Sequence, residues 1–340
     1  MAKSISISSG SVLIGNPIVV KVEPETLRVA PVFHRVKLIV SASLDTVGPV
    51  ETFELSAPVD EGGDGQVFDV SDALRTVARG FIHSFVTSDT TYPYIAFTLS
   101  AYDEYMVNGI LQEKVNEVDY GGTLYALMGA FSGLDRYTSG ETKSLDRFTR
   151  KPANGEICSV GDLYVYPSLQ SYNIVLGGNV PNPSVLTKTL DKTETLNNVK
   201  VYVDENSENR IQFQFVNGFG VVESASAECL ERGLSEGSLE LNAVTGVPSF
   251  GNPVRLAGTR TERDNILKCS SGFVNMEWAQ WWHDEFLGSD DFRRGLAQSH
   301  WIYLDEVWQP CICSLDDETT IYDRTKKNML HIDFTVHLCI

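Results

Sequence analysis

The C-terminal stretch constrains this chain more than any other. Ile332, Phe334, Val336, Leu338 and Ile340 occupy every second position, and His331, Asp333, Thr335, His337 and Cys339 lie between them. A period of two puts all the apolar side chains on one face, which defines a half-buried β-strand. The same period recurs along the chain. Ile5 and Ile7 alternate with serines, and Ile18, Val20 and Val22 follow the turn Gly15-Asn16-Pro17. Val36, Leu38, Val40 and Ala42 oppose Arg35 and Lys37, and Phe53 and Leu55 repeat the pattern. Ile95, Phe97, Leu99 and Ala101 share one side of the run Tyr94 to Tyr102.

The second half resumes the pattern. Leu163, Val165 and Pro167 alternate with Tyr164 and Tyr166, before the turn Val180-Pro181-Asn182-Pro183. Val199, Val201 and Val203 then read as one arm of a hairpin, with Ile211, Phe213 and Phe215 as the other and Asp204 to Arg210 as its loop. Two helices interrupt the strands. Ser71 is placed to cap the first, Asp72 suits its positive end, Ala73, Leu74, Val77 and Ala78 form its apolar face, and Gly80 stops it. The second, near residues 276–287, has Asn275 as cap, and Gly288 closes it. Its Trp278, Trp281, Trp282 and Glu285 fall at i, i+3, i+4 and i+7, a spacing that fits a helix docking its aromatic face into a core.

Many short strands separated by Gly, Pro and Asn turns, without regular strand–helix alternation, predict a mainly β protein. The expected architecture is two β-sandwich or β-barrel-like domains with a few short helices. A chain of 340 residues can bury two cores. Gly121-Gly122, Gly129, Gly133 and Gly140 break the periodicity, and Lys151-Pro152-Ala153-Asn154-Gly155 reads as a linker. The expected division is an N-terminal β-rich domain over 1–152 and a C-terminal one over 153–340.

The net charge of −18 disfavours nucleic acid, whose phosphates require a cationic footprint, and anionic membranes for the same reason. No apolar run reaches the length of a membrane span. The opening MAKSISISSGSVLIG lacks the layout of a secretory signal, which predicts synthesis in the cytoplasm. The cysteines Cys158, Cys229, Cys269, Cys311, Cys313 and Cys339 are too dispersed for a disulfide framework and read as reduced thiols.

Catalysis requires ionisable groups that converge. The acidic pairs Asp60-Glu61, Asp103-Glu104, Asp284-Glu285, Asp290-Asp291 and Asp316-Asp317-Glu318 are adjacent residues, which read as solvated surface. The turn Asp60 to Gly65 lacks calcium-loop spacing. Cys311 and Cys313 share a strand face, with Cys339 and the histidines His331 and His337 as conceivable companions for zinc. Cys-x-Cys is not the usual knuckle, however, and buried thiols explain the same residues. No nucleophile elbow, phosphate loop or dinucleotide fingerprint occurs. No catalytic, cofactor-binding or metal residue is therefore assigned, and the chain reads as a non-enzyme. Tyr92, Tyr94, Tyr102 and Tyr105 are the candidate contacts if it binds a glycan instead.

Several segments carry a resemblance in order along the chain. They are Phe33-His34-Arg35-Val36, FDVSDALR from Phe68, LMGAFSGLDR from Leu127, RKPANGE from Arg150 and FVNGFGVVES from Phe215. Val307-Trp308 and ETTIYDRTKKNMLHIDFTVHL from Glu318 complete the set. Together they resemble an uncharacterised group of tail-module proteins from phages and prophages of gut bacteria. The resemblance implies a β-rich virion component near the tail tip, of distal-tail or baseplate type. It would form a homo-oligomer such as a ring, contact other tail proteins, and in some cases meet a host-surface glycan. It transfers no functional residue.

Overall fold

A computed structural model of the chain describes residues 3–10, 13–24, 33–45, 47–59, 65–130, 144–145, 148–168, 172–173, 180–205, 209–244, 255–288, 300–315 and 330–338. The protein is mainly β, with several sheets, a closed barrel and two short helices among these residues.

The first half contains β1 (Ser4–Gly10), β2 (Ile18–Glu23), β3 (Phe33–Leu44), β4 (Glu51–Pro58), β5 (Gln66–Asp69), helix α1 (Ser71–Ala78), β6 (Thr90–Thr91), β7 (Ile95–Val107), β8 (Ile110–Asp119) and β9 (Leu124–Ala126). A sheet ordered β4-β3-β7-β8, with β9 also on β7, lies with a smaller sheet ordered β1-β2-β5. Their alternating apolar faces meet in one core. Ile18, Val20 and Val22 join Val36, Leu38, Val40, Ile95, Phe97, Leu99 and the buried side of α1.

The second half contains β10 (Ser144–Leu145), β11 (Asn154–Ser159), β12 (Leu163–Pro167), β13 (Tyr172–Asn173), β14 (Ser184–Thr189), β15 (Glu194–Leu196) and β16 (Val199–Asp204). Then follow β17 (Arg210–Val216), β18 (Val222–Val244), β19 (Arg255–Ser270), helix α2 (Met276–Trp281), β20 (His300–Leu304), β21 (Val307–Leu315) and β22 (Asp333–Leu338). The last six strands close an antiparallel barrel in the order β17-β18-β19-β22-β21-β20. Closure satisfies the ladder groups that an open sheet would leave at its edges. In β22 the alternation predicted from sequence is realised: Phe334, Val336 and Leu338 are buried, and the residues between them are half-buried. Ile340 and Cys339 lie outside the described residues.

The Trp-rich helix docks into this barrel core. The Asn275 side chain accepts a hydrogen bond from the Trp278 amide at 3.0 Å, so the predicted cap forms. The helix then widens into a π turn over Trp282–Phe286, closed by the Leu287 amide on the Trp282 carbonyl. One extra residue in that turn brings Trp281, Trp282, Glu285 and Phe286 all inside. Phe286 is fully buried, with ring centroids 5.5 Å from Phe213, 5.1 Å from Phe215 and 5.5 Å from Phe334. Each such ring contributes roughly 1.5–3 kcal/mol through burial.

Two sequence expectations are corrected here. The hairpin predicted between Val199–Val203 and Ile211–Phe215 does not form: β16 runs parallel to β11 and pairs with β15, while β17 enters the barrel. Their apolar faces do meet, but through the shared core. Ser71 is the first helical residue of α1 and not its cap. The Asp69 carboxylate accepts from the Ser71 amide at 3.0 Å and from the Ile18 amide at 3.2 Å instead. Within the predicted linker, Lys151 is buried while Ala153, Asn154 and Gly155 are exposed, and β11 begins at Asn154.

Candidate functional site

The core of the first half draws on Ile14 to Met128, and that of the barrel on Cys158 to Leu338. A third apolar cluster takes residues from both, including Leu13, Val86, Tyr92, Leu127, Phe148, Val216, Phe219 and Trp301. Around it lies a buried polar junction. Gln214, on β17, receives the Val86 amide at 2.7 Å and donates to the Val86 carbonyl at 2.8 Å. The Ala130 amide donates to the Gly218 carbonyl at 2.8 Å. Gly129 has φ +138°, and a Cβ there would sit 2.6 Å from the Gly218 oxygen, so only glycine permits this approach.

Arg150 and Lys151 thread through the junction. The Arg150 guanidinium donates to Glu285 at 2.6 Å and to the Ala130 carbonyl at 2.7 Å, and it stacks 4.3 Å over the Phe219 ring. The other Glu285 oxygen accepts the Gly218 amide at 2.5 Å. The π turn is what aims Glu285 inward, toward this arginine. The Lys151 ammonium donates to Glu156 at 2.7 Å, to the Tyr164 hydroxyl at 3.1 Å and to the Ser224 carbonyl at 2.5 Å. The Tyr164 hydroxyl in turn donates to Glu156. A buried charge costs several kcal/mol unless paired, and these charges are paired at short range.

Glu223 sits in the same cluster, 1% exposed. Burial pushes its carboxyl up to about 7, and the Lys151 charge and the Thr149 hydroxyl oppose that rise. Burial likewise raises the Tyr164 phenol, with the Glu156 charge adding to the effect. The arrangement ties its charges to one another and locks two parts of the chain together.

The sequence assigned none of these residues. Glu223, the one acid in FVNGFGVVES and directly after two valines, was the available signal, as was the basic pair just before Pro152. Three segments of the resemblance, LMGA, RK and FVNGFG, converge here.

The residues singled out from sequence are placed otherwise. Asp103 and Glu285, read as solvated, are buried, because adjacent residues on a strand or helix face different ways and one of each pair turns inward. Burial opposes the charge of Asp103, but His34 at 3.4 Å and Lys3 at 3.1 Å outweigh it and hold the carboxyl below its usual range. Asp60-Glu61, Asp290-Asp291 and Asp316-Asp317-Glu318 lie outside the described residues. Cys311 is buried and Cys313 half-buried on one face of β21, and among the described residues no group of three or more His, Cys, Asp or Glu is placed to hold a metal. Tyr92 and Tyr102 are buried, with Tyr102 donating to Glu54. Tyr94 is half-buried and borders an open depression with Phe81, Asp45 and Asn182.

A second feature was not anticipated. Strands β18 and β19 outrun the barrel. β18 pairs with β17 only through Glu228, and β19 with β22 only over Ile266–Ser270. Among the described residues, Leu234–Val244 and Arg255–Asn265 pair with each other alone. At about 3.3 Å per residue this ribbon is about 36 Å long. No described helix is long and apolar enough to cross a membrane. Comparison of the chain with family models, with curated proteins and with solved structures gave no match.

Proposed function

We propose that this chain is a non-catalytic structural component of a phage tail tip or baseplate, made in the host cytoplasm and carried in the virion. It assembles with copies of itself, as a ring, and with other tail proteins. The ribbon of β18 and β19 carries this reading. A two-stranded ribbon alone is marginally stable in water, and edges with no strand partner among the described residues offer backbone groups to another chain. The edge strand β8 exposes Ile110 and Leu111 and offers such a ladder. A ribbon of one copy laid on a different surface of the next is a heterologous contact, which closes into a ring when the rotation allows. The converging segments of the resemblance fit a scaffold role, since they build the junction that holds the halves together.

The test is native mass by mass photometry, for the whole chain and for a variant in which residues 234–265 are replaced by a short Gly-Ser turn. Closed multiples for the whole chain and monomers for the variant, with unchanged β circular dichroism, are expected. A whole chain that stays monomeric at every concentration overturns self-assembly. It would favour the glycan-binding reading, in which Tyr94 and Asp45 in the open depression are the contacts and a Tyr94→Ala variant loses glycan binding.

A further inference from the structure

Cys229 on β18 and Cys269 on β19 are direct register partners. Their pairing type can be read from backbone hydrogen bonds. The amide and carbonyl of a strand residue point to the same side. The Cys229 amide donates to the Asn209 carbonyl at 2.7 Å, so Cys229 turns its backbone groups toward the β17 side and away from β19. Two residues beyond Cys269, the Ser271 amide donates to the Ile332 carbonyl at 2.9 Å, so that side of β19 faces β22. The two cysteines thus form a non-hydrogen-bonded pair, the type with Cα atoms about 4.5 Å apart and side chains closest. That spacing falls within the range of about 4.4–6.8 Å that a disulfide accepts. Both side chains lie on the inner face: Cys269 is fully buried in the barrel core, and Cys229, half-exposed, packs against it.

We propose that Cys229 and Cys269 are a latent cross-strand disulfide, which forms when the protein meets a disulfide oxidant and clamps the base of the ribbon. The location gives the bond its consequence. The ladder of β18 and β19 shifts register between Cys229 and Glu231, where β18 has parted from β17 while β19 is still paired with β22. A bond on the last rung before that shift fixes the register in which the ribbon leaves the barrel. This inference is independent of the assembly role.

The chemistry balances with oxidised glutathione. The half-exposed Cys229 thiolate attacks it, forming a mixed disulfide and releasing one glutathione thiolate. The Cys269 thiolate then attacks the Cys229 sulfur and expels the second glutathione, and the two thiol protons end on the released glutathione thiolates. Cys311 and Cys313 lie on β21, which β22 separates from β19, so neither is a register partner of Cys269.

The experiment incubates the wild-type protein with oxidised glutathione, blocks free thiols by alkylation after denaturation, and maps peptides without reduction. A Cys229–Cys269 crosslink is expected, with Cys311 and Cys313 alkylated. The oxidised protein should melt a few degrees higher than the reduced one, reversibly with dithiothreitol. A Cys229→Ser variant should show neither change. A reaction that stops at a glutathione adduct on Cys229, a Cys269 bond to Cys311 or Cys313, or both cysteines fully alkylated would each overturn the proposal.

Discussion

Glu223 directly follows Val221 and Val222 in sequence and has charged neighbours in space: Lys151, Glu156 and Glu285. A carboxyl whose folded value is raised to about 7 binds a proton more readily folded than unfolded. Its contribution to stability is full below the ordinary carboxylate range and is lost as pH rises through about 7. A Glu223→Gln variant keeps the neutral shape at every pH. Melting temperatures measured from pH 5 to pH 8 should therefore fall less steeply for the variant than for the wild type. Parallel curves would refute the assignment. Neither Glu223 nor its partners could be found from spacing, because Lys151 and Ser224 are far apart in sequence and meet only after the strands are placed. What the sequence did show was an acid directly after two valines.

At the scale of elements, period-two runs translated directly into strands in β2, β3, β7 and β22, because alternation is a property of the strand itself. The Asn275 cap was legible for the same reason: its partner is three residues away. Replacing Asn275 with Ala should cost about 1 kcal/mol, read as a lowered denaturant midpoint with unchanged slope, since the Trp278 amide loses its partner. An unchanged midpoint would show that helix docking alone holds the turn. Pairing was less legible. The misread hairpin of β16 and β17 had correct strands and a wrong partner, because two apolar faces can meet through a core as well as side by side. The π turn was not foreseen, as it depends on Phe286 reaching Phe213, Phe215 and Phe334.

For the whole molecule, the third core cluster and the Arg150–Glu285 junction join elements from both halves of the chain. Scanning calorimetry should therefore give one cooperative transition; two resolved transitions would mean that the halves unfold independently and that the junction contributes little to stability. Alternation and turn residues, which act over a few neighbours, were enough by themselves to determine that this protein is mainly β, which faces of its strands are buried, and where its Trp-rich helix begins. The tertiary structure alone decided that the last six strands close into a barrel, that β18 and β19 run on as a ribbon, and that Arg150 and Lys151 are enclosed. Those outcomes depend on register and charge pairing between residues distant in the chain, and a lysine beside a proline has the same local chemistry whether it ends in water or against a buried carboxylate.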